Sequence, residues 1–370
     1  MNRSANLFAP LFPVLILYTT GLIMIFDASS GEIVDLALGK SQFAAFFRQI
    51  IWGGCSIIAA YTSYKIGWQR IIAHSPWLFA AAVIALALVF VPGIGICANG
   101  ARRWLGMRGV YVQPSEFTKI ILPAYFIYVC VHEQEVFSSL SSYLQLMAKA
   151  SLPVMLIVLE PNNGTAGVLI LLIGVLTVVT GIPSRFWLIP LSISLCCLFI
   201  FATNSTYVQK RLSSYMNPEA DIKGKGHQPY QAKIAAGSGG LFGKGPAKSM
   251  QKFSYLPEAQ NDYIAAIFAE EYGFVGICVL LSLYLWLLFE ILKILQVQRD
   301  PRALCWGISL YFLLGFQTFI NLGVVSGLLP STGLNLPFFS QGGSSLVSNS
   351  MSIGLLMSMG HEVTVQEGVS

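Results

Sequence analysis

Asp262 closes the run Gln251-Lys-Phe-Ser-Tyr-Leu-Pro-Glu-Ala-Gln-Asn-Asp262, which leads straight into a long apolar segment. A carboxylate at the edge of such a segment is half sheltered from water and can take a proton from a sugar hydroxyl. Asp is also a favoured helix N-cap, so both capping and base chemistry are open for it. Glu270 and Glu271 follow about 12 Å further along a helix that starts there. Carboxylates at that depth face a bundle interior or a cavity, where a buried cation competes with any chemical role. Cations lie in several polar motifs. Arg102 and Arg103 fall in Asn99-Gly-Ala-Arg-Arg-Trp-Leu-Gly106, Lys119 follows Gln113-Pro-Ser-Glu116, and Lys244 and Lys252 sit in a long polar stretch. Such groups clamp phosphates, Arg in bidentate fashion.

Two glycine-bearing runs add backbone donors. Gly237-Ser-Gly-Gly-Leu-Phe-Gly-Lys-Gly245 suits either a turn or an oxygen-rich ligand beside Lys244. It is not a Walker A loop, because Ser238 stands where the first Gly belongs and no Ser or Thr follows Lys244. Leu336-Pro-Phe-Phe-Ser-Gln-Gly-Gly-Ser-Ser345 forces a defined turn and offers Ser340, Gly342, Gly343, Ser344 and Ser345. Trp104 and Tyr111 suit a membrane interface. Ser115 and Glu116, after Pro114, read as a helix start. His74, His132, His227 and His361 are scattered, and no cluster with metal-ligand spacing stands out.

These motifs need elements to carry them, and composition says which. The chain has 370 residues, 55% hydrophobic and only 11% charged. Its mean hydropathy is +0.67. So few charges cannot coat a soluble surface of this size, which argues against an ordinary cytosolic enzyme, a disordered chain or a nucleic-acid module. Ten apolar runs read as membrane spans: Leu7–Phe26, Phe46–Tyr64, Trp77–Ile96, Phe117–Val131, Leu146–Leu159, Thr165–Ile182, Phe186–Ala202, Tyr263–Leu292, Ala303–Val325 and Leu346–Met359. The fifth and tenth are short enough to be re-entrant. The expectation is therefore an all-α polytopic membrane protein of about ten transmembrane helices, one domain over 1–370. A large extracytoplasmic loop over 203–261 joins helices 7 and 8.

Charge placement sets the orientation. Of the 22 Lys and Arg and 17 Asp and Glu, the 203–261 loop holds eight and three, so the rest of the chain balances at 14 each. Counted over the short loops alone, the positive-inside rule favours a cytoplasmic N-terminus. The basic loop then faces outward, where an anionic ligand at the outer surface gives it a partner. The seven cysteines lie mostly inside apolar runs without a Cys-x-x-Cys, and read as small apolar fillers.

Taken together, these motifs resemble the SEDS family (FtsW, RodA) over essentially the whole chain. The likeness rests on Arg103-Trp104-Leu105, Gln113-Pro-Ser-Glu116, Glu160-Pro-Asn-Asn-Gly-Thr165, Gly237-Ser-Gly-Gly240 and Leu256-Pro-Glu-Ala-Gln-Asn-Asp262. Ala269-Glu-Glu271 with Gly273, Gly327-Leu-Leu-Pro330 and the run from Leu336 to Ser345 complete it. The text before Asp262 is more similar to the FtsW (division) branch than to the RodA (elongation) branch. Two positions depart from the family pattern: Asn162 stands where an Asp is usual, and Gln341 where a Tyr is usual before the paired glycines.

The resemblance implies a peptidoglycan polymerase of the bacterial cytoplasmic membrane, working at the division septum. It would join glycan from lipid II to a growing chain and release undecaprenyl pyrophosphate. Asp262 is then the catalytic residue. Substrate-binding candidates are Arg102, Arg103, Trp104, Gln113, Ser115, Glu116, Lys119, Lys244, Gln251, Lys252, Glu258, Ser340, Gly342, Gly343, Ser344 and Ser345. The resemblance names no cofactor with certainty, and a divalent cation is compatible with the chemistry. The implied partners are a class B penicillin-binding protein, other divisome membrane proteins and membrane lipid, with no nucleic acid. Two alternatives stay open: a RodA-type polymerase for elongation, and a lipid II flippase or transporter, which would need polar groups running through the bundle.

Overall fold

The computed structural model describes residues 7–35, 43–98, 101–107, 110–188, 192, 227–252 and 259–368. Helices dominate: α1 (Leu11–Asp35), α2 (Phe43–Ile66), α3 (Trp68–Ala73), α4 (Ser75–Leu88), α5 (Pro114–His132), α6 (Leu140–Leu159), α7 (Asn163–Val179), α8 (His227–Ser238), α9 (Ile264–Gln296), α10 (Pro301–Val325) and α11 (Gly343–Gly368). Five of the described helices are long and apolar enough to cross a membrane by length and composition alone: α1, α2, α6, α9 and α10. The chain is an all-α polytopic membrane protein. The expected run Phe186–Ala202 lies largely outside the described residues, as do 203–226 of the expected extracytoplasmic loop and Glu258.

Several boundaries differ from the sequence reading. The third apolar run stops being helical at Leu88, because Pro92 and Gly93 break it. Gly95–Ala98 instead forms β1, which pairs antiparallel with β2 (Ala101–Met107); β2 pairs with β3 (Val110–Val112). A small sheet therefore carries Arg102, Arg103 and Trp104. The fifth and tenth runs are not short. Helix α6 gains Leu140–Gln145, with Ser139 as a side-chain N-cap, and α11 begins at Gly343 and runs 26 residues.

Close packing places α11 in the middle of the bundle, most extensively against α2. Gly354 lies on the Ala60 backbone and Gly343 on the Trp52 ring, so neither tolerates a larger side chain. The buried apolar core is continuous from α1 through α11.

Helix α9 holds the most informative irregularity. Gly273 interrupts it with φ 66° and ψ −162°. The backbone groups freed there are bonded by the glycine-rich loop after α8. Lys244 and Gly245 N–H donate to the carbonyls of Glu270 and Glu271, each at 3.0 Å, while Phe274 and Val275 N–H donate to Gly240 and Leu241 at 2.9 and 3.1 Å. A break near lipid is tolerated when protein satisfies it in this way. Gly237-to-Gly245 is thus a plug in a helix break.

Candidate active site

Asp262 sits just ahead of α9. The N-cap position of that helix is Tyr263, with no side-chain capping bond. The turn is held from α10 instead: Asn321 Nδ2 donates at 2.8 Å to the Asp262 carbonyl and at 2.8 Å to that of Leu334. This ties Asp262 to the 331–335 loop. Gly333 (φ 73°) borders its carboxylate, so that a Cβ there would stand 3.6 Å from Oδ2. Asn321 Oδ1 and Gln341 Oε1 are both buried without a hydrogen-bond partner. Such atoms call for a ligand or a water.

Arg103 on β2 reaches the same place. Its Nε donates to the Glu160 carbonyl at 3.2 Å and its Nη2 to the Pro161 carbonyl at 2.5 Å. Burial weakens its hold on the proton, and the charges of Glu160 and Asp262 oppose that effect. An Arg stays charged even so. Arg102 is exposed, and its Nη1 lies 3.5 Å from the Phe90 carbonyl. Trp104 is half-buried.

Below this surface the predicted polar residues meet one another. Gln113 N–H donates to Ser344 Oγ at 2.9 Å, Gln113 Nε2 to Ser115 Oγ at 3.1 Å, and Asn162 Nδ2 to Ser115 Oγ at 3.4 Å. The departure to Asn162 thus has a hydrogen-bonding use. Lys119, 2% exposed, pairs with Glu116 at 2.8 Å and donates to Gln317 Oε1 at 2.8 Å. Ser340 Oγ accepts from Leu336 N–H, and Ser345 Oγ from Asn349 Nδ2. Gly342 faces Asn335. These residues shape the floor.

Lys244 and Lys252 belong to a second cluster. Lys244 Nζ is 2.6 Å from Glu270 Oε1. Lys252, 3% exposed, lies 2.7 Å from Asp27 and 3.2 Å from Glu271. Glu270 also accepts from Ser249 Oγ and the Gln251 N–H, and Glu271 from the Ala247 and Ser249 N–H groups. The Gln251 side-chain oxygen is buried and unpartnered. An anion reaching Lys252 would have to displace two carboxylates.

Sequence reasoning did not single out Asn321, Asp27 or the Glu160 side chain. Asn321 had a signal: Gln317, Thr318 and Asn321 put polar groups on one helical face of an apolar run. Among the described residues no group of three or more His, Cys, Asp and Glu could hold a metal.

The model of the FtsW/RodA/SpoVE family, described as cell cycle proteins, matches residues 8–365. The chain belongs to this family. Among the relatives of this SEDS-type chain, stage V sporulation protein E of Bacillus subtilis is 34% identical over 346 residues, spanning 93% of this chain and 94% of the relative. The probable peptidoglycan glycosyltransferase FtsW of Coxiella burnetii is 35% identical over 352 residues, 94% of each. A chain solved in a peptidoglycan synthase complex superposes with a TM-score of 0.77 at 24% identity, covering 96% of this chain and 98% of the other. The rod shape determining protein RodA of Thermus thermophilus gives 0.69 at 25%, with 96% of each covered.

Proposed function

We infer that this chain is a peptidoglycan glycosyltransferase, polymerising lipid II on the outer face of the cytoplasmic membrane during septal wall synthesis. The observation that carries this reading is the meeting of Asp262 with Arg103 at the shared end of β2, the α6–α7 turn, the start of α9 and the 331–335 loop. Membership of a family whose relatives are named peptidoglycan glycosyltransferases supplies the substrate class. The acceptor hydroxyl attacks the anomeric carbon of the donor, forming the new C–O bond. Its proton goes to Asp262, and the bond to the pyrophosphate oxygen breaks. Arg103, helped by the exposed Arg102, meets the charge that grows on the leaving undecaprenyl pyrophosphate.

The flippase reading asks for a polar path across the bundle. The Glu116–Lys119–Gln317 group lies within about the first one and a half turns of α5. Beneath it the neighbouring helices bury Leu122, Phe126, Leu310 and Leu355, and the hydroxyls buried among them, Ser309, Ser352 and Ser358, donate back to carbonyls of their own helices. The absence of buried charge at that depth, among the described residues, favours the polymerase.

A partner reading rests on the groove between α9 and α10. It has a volume of about 830 Å³ and is lined by Gly273, Ile277, Leu281, Gly315, Phe319 and Gly323 among others. Small residues among large apolar ones let another helix approach closely. This supports docking of the membrane helix of a class B penicillin-binding protein. The deciding experiment purifies the chain with such a partner, supplies lipid II and reads glycan chains on a gel. Polymer is the expected product. Movement of lipid II across vesicles without polymer would overturn the assignment in favour of a flippase.

A further inference from the structure

Glu160, which ends α6, is not used by the reaction above. Its side chain is 0% exposed, and neither Oε1 nor Oε2 has a hydrogen-bond partner. Arg103 lies over this turn yet bonds the carbonyls of Glu160 and Pro161. Both Glu160 and Asp262 act electrostatically on that guanidinium. The turn is part of the Asp262 wall. Asn162 fastens it to Ser115 on α5, and Gly164 packs on the Thr332 carbonyl in the loop whose Gly333 borders Asp262.

The surroundings leave Glu160 few charged neighbours. Glu116 and Lys119 of α5 face each other. Helix α7 and the 331–335 loop carry no titratable side chain. Arg103 from β2, with Asp262 beyond it, is the charged group Glu160 meets among the described residues. Burial pushes the Glu160 carboxyl up to about 8, with Arg103 pulling it the other way. At neutral pH it is therefore mostly the uncharged acid, which agrees with a guanidinium bonded to carbonyls and not to the carboxyl.

We propose that Glu160 is a positioning residue for Arg103, a proton-linked latch on the polymerising site. As a neutral acid it leaves the guanidinium docked on the two carbonyls beside Asp262. As a carboxylate, its proton lost to water, it draws the guanidinium onto itself and away from the pyrophosphate. The latch rests on the polymerase reading, but its stability signature does not.

The test compares wild type, Glu160→Gln, Arg103→Ala and the double variant from pH 5 to pH 9, in lipid II polymerisation and in thermal unfolding. With a group titrating at about 8, wild-type polymerisation at pH 9 falls to roughly a tenth of its rate below pH 7. Glu160→Gln, which cannot ionise, stays within about twofold of its own pH 7 rate. In unfolding, the folded carboxyl keeps its proton up to about 8 and the unfolded one loses it near the ordinary 4.5. This group therefore costs stability as pH rises between those values, and the Gln variant gains on wild type across that window. Above pH 8 Arg103→Ala lowers the melting temperature more when Glu160 is present than when Gln replaces it. An alkaline limb unchanged in Glu160→Gln, or an Arg103 effect independent of residue 160 at high pH, overturns the latch. A wild type that makes no polymer at any pH overturns the polymerase reading, while the unfolding arms still decide the coupling.

Discussion

Arg103, Gln113, Ser115 and Asn162 gather around the Glu160–Asn162 turn, although only the Gln113–Ser115 bond joins residues close in sequence. The lysines are another matter. Charge is visible in a sequence, but the partner that absorbs it is not. Lys119 finds Gln317 198 positions away and Lys252 finds Asp27 225 positions away. Both residues are therefore structural counter-ions before they are ligands. Removing one partner of a buried pair strands the other charge, at a cost of about 3–5 kcal/mol. Lys119→Met should lower stability by about that much, and the added change Glu116→Gln should recover most of the loss. Thermal unfolding in detergent of the single and double variants checks this. A Lys119→Met chain that melts with wild type would show that the pair contributes nothing.

At the scale of elements, the apolar runs located most helices, since a bilayer demands about 20 apolar residues per crossing. What the runs could not show is where backbone bonding changes hands. The β1–β2–β3 sheet arises because Pro92 and Gly93 stop α4 while the next residues still read as apolar. The Gly237–Gly245 run read as a turn or a ligand cradle, yet its N–H and carbonyl groups bond the broken α9. Gly273→Ala tests this. The position needs φ 66°, and an added Cβ would meet the backbone of Leu241 and Gly243. The conformation alone costs of order 1–3 kcal/mol. The expected result is a lower melting temperature and protease cleavage within 239–245. Gly174→Ala in α7, where a Cβ meets nothing within 4 Å, should be neutral or slightly stabilising. Equal behaviour of the two variants would remove the plug.

At the scale of the whole molecule, long-range contacts sort the chain into two ends. Asp27, Arg103, Glu160, Lys252, Asp262 and the 331–345 run interlock at one. At the other, Trp68 Nε1 donates to Glu362, Arg302 stacks on Trp68, and Gln298 donates to the Met359 carbonyl. In a chain cleared of its native cysteines, Lys233→Cys on α8 should react with an impermeant thiol reagent added outside intact cells, and Asp300→Cys should not. The reverse pattern would turn the site toward the cytoplasm. The central claim, that Asp262 is the base of a glycan polymerase, is tested most directly by Asp262→Asn. The amide keeps the size of the side chain and cannot take the proton. With lipid II as substrate and thermal stability measured alongside, polymerisation should fall by at least about 10²-fold while the melting temperature stays near wild type. An Asn variant that makes glycan chains at close to the wild-type rate would contradict it.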